Sequence, residues 1–377
     1  MAHLTYQTEQ RALWLENETS GAAMAVNERK GRSDMLEELK KLQQKGKASI
    51  EPARPVYIQS SGTVVGKMEG EGPLASYFDM ICDTDKFGEE TWEAAESRMQ
   101  KEAVALALGK ASLQAADIRY IFAGDLLGQT IATCFGLMDY EIPLFGLYGA
   151  CSTLGEGMSL AAMCLAGGFA ERALVVTSSH FAGAEKNFRF PVEYANQRPL
   201  SATWTVTGSG AYVLGTQQSQ VKITGFTNGK IMDYGVRDAQ NMGAAMAPAA
   251  MDLIRTHLSD FGRKPEDYDK IVTGDLGTVG QEILIKLLKD EGIDISGVHE
   301  DCGMKIFDSE QQGTQAGGSG CGCSAVTLAA WYLPKLMSGE YRRILFIPTG
   351  ALMSQVSFNE GQNVTGIAHG VVLEHAD

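Results

Sequence analysis

Residues 118–126 read IRYIFAGDL and residues 268–276 read YDKIVTGDL. Each is an apolar run that ends in a glycine turn, Gly124-Asp125-Leu126 and Gly274-Asp275-Leu276, and each follows a helical pattern and a short acidic loop. The likeness continues downstream. Gly149-Ala150-Cys151-Ser152, a helix and then Glu171–Val176 follow the first run; Gly322-Cys323-Ser324-Ala325, a helix and then Arg342–Ile347 follow the second. Three matched elements in one order describe a βα unit present twice. Duplicated halves of this kind pack around a pseudo-twofold axis. That packing is expected to bring two helix starts, with Cys151 and Cys323, toward one central site.

Outward from the repeat the pattern stays α/β. Apolar spacing predicts helices over Thr91–Lys110, Thr153–Leu165, Ala247–Leu258, Gln281–Lys289 and Ser324–Met337. Short apolar runs predict strands at Arg172–Ser178, Ala211–Leu214, Lys270–Thr273, Arg343–Ile347 and Gly370–Glu374. Strands alternating with helices argue for mostly parallel sheets with helices on both faces. The first 48 residues differ: they are polar, with one helical candidate from Ser33 to Lys45 that Gly46 ends. The expected organisation is an appended arm over residues 1–48, helical or disordered, an N-terminal half over 49–230 and a C-terminal half over 231–377.

Composition removes several functions. Among 377 residues, 46 acids against 32 bases leave a net charge of −14, with no long basic tract. Binding to nucleic acid or to anionic lipid needs a basic surplus on some face. Glycine is frequent at 43 and proline scarce at 10, which suits tight strand-to-helix turns. The start, Met1-Ala2-His3-Leu4-Thr5-Tyr6, has neither the basic nor the apolar region of an export signal. The longest uncharged apolar run, Gly157–Ala170, is shorter than the roughly 20 residues a span needs. A cytoplasmic protein without a transmembrane segment is therefore expected. Its seven irregularly spaced cysteines are expected to be free thiols.

Cys151 opens a helix after Tyr148-Gly149-Ala150. A helix start offers unpaired N–H groups and a positive dipole end, which favour a thiolate or a bound anion. The residue reads as a nucleophile or as an anion-binding helix end, against the alternative of a small packing residue. Asp125 and Asp275 stand at strand ends, where ligands collect in α/β sheets, though Asp also caps turns. Residues 178–207 form a long polar stretch that holds His180, Lys186, Arg189, Glu193, Asn196, Gln197, Arg198 and Thr207. It reads either as a source of donors for carboxylates or as an interface loop. Cys321-Gly322-Cys323 with distant Cys302 is too weak a pattern for a metal site, and none is expected.

These residues carry a resemblance. Gly149-Ala150-Cys151-Ser152 at a helix start, the duplicated half and Thr207-Gly208-Ser209-Gly210-Ala211 resemble the thiolase-like superfamily. Within it, AGDLLGQ (123–129), YGACST (148–153), the long segment 177–211, MGAAMAPAA (242–250), VTGDLGTVG (272–280), HEDCG (299–303), AGGSGCGCSA (316–325) and IAHGVVLE (367–374) resemble the stage V sporulation protein AD family of spore-forming bacteria. The resemblance runs from about residue 50 to the end and leaves out the arm.

It implies a thiolase-like α/β fold of two βαβαβ halves in five α-β-α-β-α layers, usually as a homodimer. It also implies binding of dipicolinic acid, and a place on the spore inner membrane beside the membrane proteins that take this compound into the developing spore. Thiolase-like condensing enzymes resemble one another in pairing the cysteine with a histidine and with a second His, Asn or Cys. Those places fall here on Asp275 and Cys321. A carboxylate opposes a developing oxyanion, so the expected protein binds without catalysis and needs no cofactor. The alternatives are a Cys151-dependent acyltransferase or condensing enzyme acting on an acyl-thioester, and a structural subunit of a membrane transport complex. Dipicolinate is a flat ring with two carboxylates. The Cys151 helix end is expected to hold one, and Asn196, Gln197 or Arg198 the other, with His180 nearby. Asp125 and Asp275 would repel it unless calcium bridges them or a carboxyl is protonated.

Overall fold

A computed structural model of the chain describes residues 43–188 and 197–377. Residues 45–377 make one unit built on ten strands that repeat as two sets of five. The first set is β1 (Val56–Val65), β2 (Tyr120–Gly124), β3 (Leu144–Gly146), β4 (Arg172–Ser179) and β5 (Gly208–Gly215). The second is β6 (Val221–Asn228), β7 (Lys270–Thr273), β8 (His299–Asp301), β9 (Arg343–Ile347) and, beyond the extra strand β10 (Thr349–Leu352), β11 (Thr365–His375).

The spatial order is β3-β2-β4-β5-β1 and then β6-β11-β9-β7-β8, so each half is a reversed copy of the other about the β1–β6 seam. The pairing senses match as well. β2 is parallel to β3 and β4, as β7 is to β8 and β9. β5 is antiparallel to β4 and β1, as β11 is to β9 and β6. The halves join where Val56, Tyr57 and Ile58 oppose Ile223, Lys222 and Val221. The turn between the two sets, residues 216–220, lies ahead of the division at 230 drawn from the sequence.

Helices fill three layers. The helix α1 (Trp92–Lys110) and α2 (Ile131–Leu137) cover the outer face of the first half. In the centre lie α3 (Thr153–Ala166) and, after α4 (Phe181–Phe188), α5 (Met242–Phe261) and α6 (Gly277–Asp290), the helix α7 (Cys321–Thr327). α3 touches β2 and β4 of its own half and β6 and β11 of the other, while α7 packs on β4 and β5. α5 and α6 cover the outer face of the second half. The layers are therefore α-β-α-β-α.

Strand alternation explains why both sheet faces are apolar. In β4, Val175 joins the central core while Leu174 and Val176 join the outer one. In β9, Ile344 and Phe346 face the centre while Leu345 and Ile347 face α5 and α6. The α1 start falls where Thr91 accepts the N–H of Ala94 as a cap.

The candidate helix at Ser33–Lys45 lies, up to Leu42, outside the described residues; its last residues, Gln44–Lys45, are extended. The predicted helix 324–337 begins earlier, at Cys321, and passes through a π turn at Leu328–Tyr332.

Candidate functional site

Cys151 sits in a tight turn, Ala150–Ser152, that feeds α3. Ala150 holds φ at +51°, a left-handed value that costs a residue with a Cβ about 1–3 kcal/mol. The turn is held from both halves. The Ala150 carbonyl accepts the Thr153 hydroxyl at 2.6 Å and the Cys321 thiol, from the start of α7, at 3.0 Å. β10 closes on the same loop: a Cβ on Gly350 would stand 2.5 Å from the Gly149 carbonyl oxygen. The duplicated helix starts do meet, as expected from the repeat, but the residue that reaches the Cys151 turn is Cys321. Cys323 turns away, its thiol directed at the Gly274 carbonyl at 3.5 Å.

Asp275 lies beyond the end of β7 and is 1% exposed. Its Oδ1 accepts the Thr349 hydroxyl at 2.7 Å and its Oδ2 the Gly320 N–H at 3.1 Å. The Cys151 thiol lies beside this carboxylate. Gly320 delivers its N–H from φ +106°, where a Cβ would strike the Ser179 hydroxyl at 2.6 Å. Burial raises the Asp275 carboxyl to about 7; the neighbouring Cys151, the Thr349 hydroxyl and the Gly320 N–H pull it back, and Asp301 pushes it further up. Burial also lifts the Cys151 thiol well above its ordinary range, and the Asp275 charge and neighbouring Cys321 add to this. A thiolate at the helix start, expected from the sequence, is thus opposed by a dry site and an adjacent acid. Cys321 is raised too, by burial and then by Asp125.

Above this pair opens a pocket of about 400 Å³. Its apolar wall includes Leu126, Met242, Leu352 and Met353; Tyr148, Asn187, Thr205, Ser319, Ser354 and Gln355 supply polar groups. A mostly apolar cleft with a few convergent polar groups suits a small organic ligand.

The other candidates fall elsewhere. Asp125 accepts the N–H groups of Leu127 and Thr133, each at 2.8 Å, and the Thr133 hydroxyl at 2.6 Å. Its carboxylate is engaged in closing its own turn. His180 shares a second cavity, of about 390 Å³, with Glu69, Phe181 and Trp204, and its Nε2 bonds the Asp85 carbonyl at 2.6 Å. Arg198 is not presented to a ligand: its guanidinium is buried, pairs with Glu185 at 3.0 Å, donates to the Thr203 carbonyl and lies over Trp204. Glu185 in turn accepts the Thr205 N–H and hydroxyl, so the pair steadies a wall of the Cys151 pocket. Gln197 is exposed and outside that wall. Asn196, with Arg189 and Glu193, lies outside the described residues. The carboxylates of Asp125 and Asp275 accept N–H and O–H donors, and among the described residues no group of three or more His, Cys, Asp or Glu is placed to hold a metal ion. All seven cysteines are free.

Thr349 and Gly320 were missed as partners of Asp275. The repeat carries a signal for the first, because Ser178 and Thr349 occupy matching places near the ends of β4 and after β9. The pocket wall from Leu352 to Gln355 has no such counterpart.

A family model described as Stage V sporulation protein AD (SpoVAD) matches residues 46–374. The chain belongs to the stage V sporulation protein AD family. It is 43% identical to Stage V sporulation protein AD of Bacillus subtilis (strain 168) over 322 residues, 85% of this chain and 95% of that one. The fold is similar to 3-oxoacyl-[acyl-carrier-protein] synthase III from Aquifex aeolicus VF5, with a TM-score of 0.52 at 14% identity over 85% of this chain and all of that one. It is also similar to AbyA1, a tetronic acid condensing enzyme, with a TM-score of 0.55 at 17% identity over 85% and 99%. The fold is thiolase-like, and the chain is a sporulation-family member of that fold.

Proposed function

We propose that the protein binds dipicolinic acid in the Cys151 pocket and takes part in its uptake into the developing spore, without condensing chemistry. The observation that carries this reading is the environment of Cys151: a buried thiol, raised well above its ordinary range, beside a buried acid, where an acyl-transfer site calls for a basic partner and oxyanion donors. The pocket above has the size and the apolar wall for a flat ring. No helix among the described residues is long and apolar enough to cross a membrane, which suits a peripheral role on the spore inner membrane beside the membrane proteins of the uptake system. Calcium, if it enters, does so as part of the ligand complex.

The test is calorimetric titration with dipicolinate, with and without calcium, beside Tyr148→Ala. Saturable binding weakened in the variant is expected. Absence of binding in both conditions removes the reading and leaves a structural subunit as the better account. The enzyme reading keeps one foothold, since Asp275 stands within reach of the thiol proton. A mass increase with an acyl-thioester that Cys151→Ala abolishes would establish it.

A homodimer is part of the proposal. β3 is the outermost strand of its half and exposes Leu144 and Phe145. Phe135, Met138 and Tyr148 are exposed as well, at 64%, 63% and 59%. An apolar edge strand invites pairing with a second copy. Light scattering should give a dimer and Phe145→Lys a monomer; a wild-type monomer at micromolar concentration refutes it.

A further inference from the structure

The described wall of the Cys151 pocket carries no Lys, Arg or His. Amides of Asn187 and Gln355 and hydroxyls of Tyr148, Thr205, Ser319 and Ser354 offer hydrogen bonds to a carboxylate but no countercharge. Against the floor stands an acid. Asp275 accepts the Gly320 N–H and the Thr349 hydroxyl and stands beside the Cys151 thiol.

The other groups that face it are Cys321 and Cys323 of α7, Asp301 at the end of β8 and Cys302 just after. All four thiols are raised by burial and stay neutral near pH 7. Asp301 is also raised by burial, but it takes hydrogen bonds from Thr273 Oγ1 and from the N–H groups of Leu276, Gly277 and Met304, which favour its charged form. Asp275 is therefore the group of this cluster placed to change charge around neutrality.

We infer that a dianionic ligand enters the Cys151 pocket together with a proton held on Asp275. The inference rests on the reading that dipicolinate occupies this pocket. In a buried site two like charges repel more strongly than in water, and a protonated carboxyl removes that repulsion. Because Asp275 already titrates at about 7, the proton is within reach at neutral pH. The sign follows from linkage. The protonated fraction falls as pH rises, so affinity is highest below about pH 7 and drops up to about tenfold for each unit above it.

The test is calorimetry of the full chain with dipicolinate at pH 6.5, 7.5 and 8.5, each in two buffers of unlike ionisation heat, beside Asp275→Asn. Wild type should take up a fraction of a proton that approaches one at pH 8.5, with affinity falling about tenfold between the two higher pH values. Asp275→Asn should show no buffer-dependent heat and a flat pH profile. Thr349→Val removes a donor that favours the charged carboxylate and should move the affinity midpoint to higher pH, a shift that loss of packing alone would not produce. Binding without proton uptake, or uptake unchanged in Asp275→Asn, overturns the inference and leaves the dipicolinate reading standing. No binding by folded wild type at any pH removes both.

Discussion

The thiol of Cys151 lies beside the carboxylate of Asp275, and both groups are buried. An acid in that place keeps the sulfur protonated. Asp275→Asn removes the charge, lowers the thiol's titration and should speed alkylation of Cys151 at pH 8 several-fold. The rate of iodoacetamide labelling at Cys151, followed by peptide mass, checks this. An unchanged rate would mean that burial alone sets the thiol's reactivity.

Glu96 of α1 is wholly buried and accepts the Ser178 hydroxyl at 2.7 Å. Burial raises its carboxyl to about 8, and Asp125 adds to this. Between about pH 4.5 and 8 the folded chain holds a proton that the unfolded chain releases, so this group's contribution to stability falls as pH rises through that window. Glu96→Gln should therefore stabilise the protein at pH 8.5, by on the order of 1.4 kcal/mol for each unit of the shift, and change it little at pH 4.5. Urea unfolding at the two pH values measures the difference.

A buried chain of side chains ties residue 49 to α5. Ser49 bonds Thr227 at 2.7 Å, Thr227 bonds His257 Nδ1 at 2.7 Å and His257 Nε2 bonds the Tyr268 hydroxyl at 2.6 Å. Burial holds His257 neutral, its titration lowered to about 3. Its contribution is complete above the ordinary histidine range, about 6.5, and is lost as pH falls from there toward 3. Tyr268→Phe leaves a buried ring nitrogen unpaired and should cost about 1–3 kcal/mol. Denaturant midpoints at pH 7 test it; a neutral result would show that water replaces the hydroxyl.

The Arg198–Glu185 pair is buried on both sides. Arg198→Ala removes the counter-ion of a buried carboxylate and should cost about 3–5 kcal/mol, while Arg198→Met with Glu185→Leu should recover much of the loss. Thermal unfolding separates the two. A single variant as stable as wild type would return Arg198 to the list of ligand contacts.

Gly350→Ala should distort the Cys151 turn, because the added Cβ meets the Gly149 carbonyl oxygen at 2.5 Å. The expected result is lower stability together with altered Cys151 labelling. Stability lost without a change in labelling would place the strain elsewhere.

The Gly-Asp-Leu repeat and the helix starts at Cys151 and near Cys323 announce a duplicated α/β fold, and the long helices follow from their apolar spacing. β1 and β6 escaped notice because polar residues such as Gln59, Ser60, Ser61 and Thr224 interrupt their patterns. Both strands belong to the seam where the halves join, so their pairing depends on partners far along the chain. Of the candidate site, Cys151, Asp275 and Cys321 come together. Arg198 looked like a free donor because a sequence does not show that folding brings it to Glu185 of α4, thirteen residues earlier.

The order of residues was enough for the repeat and the long helices, because apolar periodicity and duplicated turns are local properties; the five layers and the acid opposite the cysteine followed from the resemblance to the thiolase-like superfamily. Which oxygen meets which hydrogen was settled by folding. Asp125 and Asp275 occupy equivalent turns, yet Asp125 closes its own loop with Leu127 and Thr133 while Asp275 reaches Cys151, Gly320 and Thr349. The two halves pack face to face around α3 and α7, and of the two carboxylates it is Asp275 that stands beside Cys151, the thiol of the other half.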